Sequence, residues 1–203
     1  MNADSLNEDL RDCFQEISNV AVGRAANLLA QLLDTFVLMP IPTVNLLERA
    51  ELSMALTSIG ESGSVSAVCQ GFTGSKIAGE ALLIFNDASF TDMAELTHYE
   101  GEITEQIELE LLMDIANILI GACLNGLAEQ IDVNFSQGQP NLLGQHMNIA
   151  EMLSEQDSQW KRALTIELPY KLEGRNVDCD LLLLFTEDSL SVLADKLSYM
   201  LED

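Results

Sequence analysis

Apolar residues recur at helical spacing in two long stretches of the chain. In the first, residues 5–36, Leu10, Cys13, Phe14, Ile17, Val20, Ala21 and Leu28 gather on one side of a helical wheel, and Asp4 or Ser5 is placed to cap it. Met39-Pro40-Ile41-Pro42 stops that helix, because proline disfavours helix in the residue before it. Extended backbone is expected over 43–52 and a turn over 60–63. Strands are expected over 64–72 and 77–85, joined by a short turn at Thr73-Gly74-Ser75-Lys76. The apolar run 81–85 suits a central strand covered on both faces. Ser89 is placed to cap a short helix to about Thr97, and residues 98–101 lead into the second half.

The order then repeats. A helix is expected over 105–130, with Leu111, Leu112, Ile115, Ile118, Leu119 and Ala122 in a wider apolar arc that Met113 and Ile120 extend. A short helix over 147–156 has no evident counterpart in the first half. Strands follow over 161–170, where Pro169 points to an edge or a bulge, and over 177–185, with a turn at Gly174 between them. A closing helix covers 189–201. Leu82-Leu83-Ile84-Phe85 aligns with Leu182-Leu183-Leu184-Phe185, Ser89 with Ser189 and Ala94 with Ala194, all at an offset of 100. The expected fold is α/β (α+β): one pseudo-twofold domain, 1–203, built from halves 1–100 and 101–203, with an antiparallel sheet against two long helices.

The polar faces of those helices carry one pattern twice. Asp12, three residues, Glu16, two residues, Asn19, then 22 residues and Pro42 recurs as Glu110, Asp114, Asn117 and Pro140, starting 98 residues later. Steps of four and three return to one helix face. At about 100° per residue, Asp12, Glu16 and Asn19 fall within roughly 60° of one another. Gly23 and Gly121 continue the two stripes, leaving bare backbone that another surface can approach closely. A solvated helix face explains either copy alone, but it requires neither a fixed Asn nor a proline at a fixed distance.

Composition narrows the partners. Nine Lys and Arg against 33 Asp and Glu give a net charge of −24. That argues against nucleic-acid binding and against docking on anionic lipid. An acidic partner would have to be held by local complementarity, and its binding would tighten with salt. Cys13, Cys69, Cys123 and Cys179 are dispersed, without metal-ligand spacing. No nucleophile–base set is evident; His98 falls in the link and His146 in a polar loop, both read as solvated. The polar start of the chain and the absence of a run of ~20 apolar residues point to a reducing cytoplasm rather than insertion in a membrane.

On Asp12, Glu16, Asn19 and Pro42, and again on Asn117 and Pro140, the chain resembles the CheC family of chemotaxis phosphatases, with its relatives CheX and FliY. Glu110 and Asp114 depart from that family's pattern, which has Asp or Ser and then Glu. The resemblance covers nearly the whole chain, since the doubled architecture is itself a family feature. It implies hydrolysis of the phospho-aspartate of a CheY-type response regulator. Glu16 would pair with the regulator's lysine and Asn19 would orient the attacking water, with Asp114 and Asn117 as their counterparts. The Mg²⁺ would be the regulator's own, so no cofactor is expected here. The first site is expected to dominate, because Asp114 reaches less far than a Glu. The alternative is a non-catalytic module of the same fold that holds a regulator or a CheD-type deamidase. A structural piece of a flagellar switch is a further one.

Overall fold

In a computed structural model of the protein, residues 8–38, 41–59, 63–154 and 162–197 are described. The first half runs α1 (Glu8–Leu33), β1 (Val37–Leu38), β2 (Thr43–Glu48), α2 (Arg49–Ile59), β3 (Val65–Gly74), β4 (Ile77–Asn86) and α3 (Phe90–Leu96). The second runs α4 (Glu105–Gln130), β5 (Ser136–Gln137), β6 (Asn141–Met147), α5 (Ile149–Ser154), β7 (Arg162–Leu172), β8 (Asp178–Thr186) and α6 (Ser189–Leu197). Each element of one half has its counterpart in the other.

One antiparallel sheet unites the halves, in the order β1, β7, β8, β4, β3, β5, with β2 also on β7 and β6 also on β3. Each hairpin therefore receives its outer strands from the other half. At the centre β4 meets β8 with Leu82 opposite Leu182, so the pseudo-twofold passes between two equivalent residues. Ala81, Leu83 and Phe85 face the same core as Leu181, Leu183 and Phe185, which makes that axis normal to the sheet. A twofold normal to a sheet reverses any helix lying on it, so α1 and α4 run antiparallel over this face.

The larger core lies between the two long helices and the sheet. A smaller one on the other face packs Leu52 and Leu56 of α2 and Ile149 and Met152 of α5 against Leu82, Ile84, Leu182 and Leu184. The continuous apolar strands are thus covered on both sides, as β4 and β8 must be. Where the long helices cross, a Cβ on Gly126 would lie 2.6 Å from Ala21 Cα; glycine lets the two backbones touch.

Several expectations change. Extended structure does not run to residue 52, because α2 begins at Arg49. The short helix of the second half therefore has a counterpart after all. Its sequence signals were Leu52 and Leu56 one turn apart and Glu51, whose carboxylate accepts the Glu48 N–H at 2.8 Å. Ser89 does not cap α3 with its side chain. Its hydroxyl accepts the Asp178 N–H at 3.1 Å, and Ser189 likewise accepts the Ala78 N–H at 2.9 Å. The two serines are equivalent locks, each pinning one half to the other. Pro169 sits in an interior strand, opposite the break between β1 and β2, where no partner N–H bond is required of it. Ser75 and Lys76 turn the first hairpin with φ of 52° and 67°, the geometry of a tight two-residue turn. The proposed cap at Asp4 or Ser5, Met39-Pro40, the start of the 60–63 turn, the end of the 147–156 helix, the start of the 161–170 strand and the closing-helix positions after 197 lie outside the described residues.

Candidate functional site

The core decides where the ridges point. Phe14, Ile17, Ala21, Val22, Ala25 and Leu29 bury one face of α1, and the opposite face carries Asp12, Glu16 and Asn19, all exposed, followed by half-buried Gly23. The second copy matches: Glu110, Asp114 and Asn117 are exposed on α4 and Gly121 is half-buried. Among the described residues, the side chains of Asp12, Glu16, Asn19, Asp114 and Asn117 make no hydrogen bond or ion pair, while Glu110 accepts from Gln106 at 3.2 Å. Acid and amide thus stand one helical turn apart, solvated and unengaged. An unengaged amide retains both its donors and its acceptor for a ligand or water.

The ridges differ in their surroundings. Twelve of the 26 residues of α1 are exposed, against seven in α4. Between residues 110 and 125 the exposed positions of α4 are Glu110, Asp114, Asn117 and Asn125, so the ridge is nearly all the water that helix sees. Length and composition would let α4 cross a membrane, but 61% of its apolar window is buried in the fold, as in a core helix. Two α1 positions read as core are not: Val20 is 42% and Leu28 47% exposed. Val20 lies one turn beyond Glu16, on the ridge side. Leu28 lies one turn beyond Arg24, whose guanidinium pairs with Glu129 at the surface.

The prolines have a structural place. Pro42 immediately precedes β2 and Pro140 immediately precedes β6. Each closes the break that splits an outer strand in two, a point where a missing N–H costs nothing. The Gly126–Ala21 contact and its symmetry mate put the helix crossing five to six residues beyond each Asn. At 1.5 Å rise per residue, Asn19 and Asn117 stand on the order of 15–20 Å apart. The two ridges are therefore separate surfaces, too far apart to converge on one small group.

The Cys13 thiol beside the first ridge is not poised as a nucleophile. Burial, then the charges of Glu16, Asp12 and Asp9, push the Cys13 thiol above its ordinary pKa, which disfavours the reactive thiolate. Cys69 and Cys123 are pushed up to about 12, chiefly by burial. No group of three or more His, Cys, Asp or Glu is placed to hold a metal among the described residues. His146 is solvent-exposed, as expected, but it lies in β6 rather than in a loop, and both ring nitrogens meet carboxylates, Asp87 at 3.0 Å and Glu108 at 2.9 Å. Those partners come from other elements, so no local pattern announced them.

No protein-family profile matches the sequence, and no curated relative does. Solved structures do. FliY of Thermotoga maritima superposes with a TM-score of 0.67 over 96% of this chain and 98% of its own, at 17% identity. The FliM middle domain of H. pylori gives 0.65 over 94% and 99%, at 13% identity. The chemotaxis protein CheX of Desulfovibrio desulfuricans gives 0.56 over 84% and 99%, at 15% identity. The fold is that of the CheC-like chemotaxis proteins. At such identities the likeness is one of fold, and a CheC-like fold hosts more than one task.

Proposed function

We propose that the chain is a phosphatase for the phospho-aspartate of a CheY-type response regulator in the cytoplasm. The observation that carries this reading is the solvated, unengaged pair Glu16 and Asn19, above a glycine, on a helix of a CheC-like fold. Hydrolysis of an acyl phosphate needs a positioned water and charge stabilisation more than covalent help. With α1 laid across the regulator's pocket, the Asn19 carboxamide accepts from and donates to the water and aims it at phosphorus. Water oxygen bonds to phosphorus and the acyl P–O bond breaks. The aspartate leaves as a carboxylate, and the water's proton passes to phosphate or solvent. Glu16 pairs with the regulator's lysine, which offsets the repulsion between a carboxylate and the phosphoryl group. Mg²⁺ belongs to the regulator in this scheme.

Asp114 is one methylene shorter than Glu16, a loss of about 1.3–1.5 Å in reach. The second site is therefore the weaker one, or is adapted to another regulator. The test is decay of acetyl-phosphate-charged regulators with and without the protein. Faster phosphate loss that disappears in Glu16→Ala and Asn19→Ala supports the reading; binding without acceleration overturns it.

The altered second ridge favours a second reading: a non-catalytic module that holds a regulator or a CheD-type deamidase. A FliM of this fold has been solved in complex with a protein, SpeE, at 13% identity to this chain, so the architecture serves protein–protein contact. Retained regulator binding with no catalysis by either ridge would select it.

A further inference from the structure

Away from the ridges, a polar cluster joins several elements around His146. This residue lies in β6 with φ of 56°, where pairing to β3 shifts register. Its Nδ1 is 3.0 Å from Asp87 Oδ2 and its Nε2 is 2.9 Å from Glu108 Oε2. The other Asp87 oxygen accepts from Ser66 Oγ at 2.7 Å, and Ser66 Oγ accepts the His146 N–H at 3.2 Å. The Phe90 ring lies edge-on at 6.3 Å between centroids. Ionised carboxylates only accept hydrogen bonds. Both ring nitrogens must then donate, and only the imidazolium does so.

We infer that His146 is a positioning residue for the second ridge: protonated, it clasps the first turns of α4 to the end of β4, and it releases them on losing its proton. Glu108 sits two residues before Glu110, so this inference rests on the reading of that ridge as a docking element. The charged groups facing the ring are Asp87 from the turn after β4 and Glu108 from α4. The strand β3 contributes the neutral Ser66 and α3 the Phe90 ring. Burial lowers the pKa of His146, but the hydrogen bonds and charges of Asp87 and Glu108 outweigh it and raise the value above the ordinary one. A raised histidine holds fully below about pH 6.5 and lets go as pH rises through its folded-state pKa. Among the described residues, no histidine takes the equivalent place beside the first ridge. The equivalents of Glu108, His146 and Ser66 are Leu10, Leu46 and Leu164, and Glu187, in place of Asp87, pairs with Arg162 at 2.6 Å.

The test uses the protein alone, so its outcome is separable from that of any phosphatase assay. Amide exchange over residues 107–112, corrected for intrinsic rates, is followed from about pH 5.5 to about pH 9. Protection should fall roughly twofold to fivefold, the span of a partly exposed ion pair. It should stay flat in His146→Asn, since Asn tolerates the left-handed backbone. His98→Asn is a matched control with φ of 55° and should behave as the parent. By NMR, His146 should titrate above the ordinary histidine value of about 6.5. Flat protection in the parent, an unchanged fall in His146→Asn, or titration of His146 at or below the ordinary histidine value of about 6.5 would each overturn the inference.

Discussion

The two halves share a backbone plan and differ in what they attach to it. On α1 the ridge is Asp12, Glu16, Asn19; on α4 it is Glu110, Asp114, Asn117, on a helix with far fewer exposed residues. The strand β2 pairs with β7 without a break in register, whereas β6 meets β3 with two register shifts, and His146 lies beside them. On the outer sheet face, Asp180 of the second half stands where the first has Glu80. Burial, then Asp178 and Glu167, push the Asp180 carboxyl up to about 7, against a smaller lowering by Lys171. Duplication fixes the positions of elements. Burial and neighbouring charge then give equivalent positions different chemistry.

The largest expected effect breaks that comparison at its centre. Asn19→Ala should slow regulator dephosphorylation by about 100-fold or more, the scale for losing a positioned reactant. Asn117→Ala should cost less than roughly threefold on the same regulator. Phosphate-release rates measure both, and an Asn117→Ala enzyme with no activity would invert the ranking.

Next comes the helix crossing. Gly126→Ala places a methyl against the Ala21 backbone and should cost about 2 kcal/mol net of helix propensity. That is a fall of roughly 4–8 °C in Tm for a domain of this size. Leu28→Gly, at the equivalent exposed position, should cost only about 1 kcal/mol. Equal losses in thermal melts would mean that the close approach at Gly126 is not what holds the helices.

Asp180→Asn sharpens the contrast on the outer face. A carboxyl with a raised folded-state pKa binds its proton more tightly when folded, so stability falls as pH rises from about 4 to about 7. The substitution should therefore gain about 2 kcal/mol near pH 8 and nothing near pH 4, with Glu80→Gln as the control. A gain that is the same at both pH values would show that charge is not its cause.

The smallest change concerns reach. Asp114→Glu restores the missing methylene and should raise the activity left in an Asn19→Ala background by about tenfold. No gain would mean that something other than reach distinguishes the second ridge.

Much of this molecule was legible in the residues. The helix over 105–130 falls where its apolar period put it, and the four long strands and the doubled ridge follow from pattern alone. The first short helix was not legible, because Leu52 and Leu56 are too few apolar positions to outweigh an extended reading before the sheet offers them a face. Ser89, read as a helix cap, is a cross-half lock, as is its counterpart Ser189, since a hydroxyl takes whichever N–H the fold brings near. The sequence by itself determined the periodicities, and through them which faces of α1 and α4 meet water, because that depends on neighbours within a turn or two. Only the tertiary structure decided which half completes each hairpin, how closely Gly126 meets Ala21, and that His146 lies between Asp87 and Glu108. Those outcomes depend on groups dozens of residues apart, whose contact exists only once the sheet has closed around its twofold.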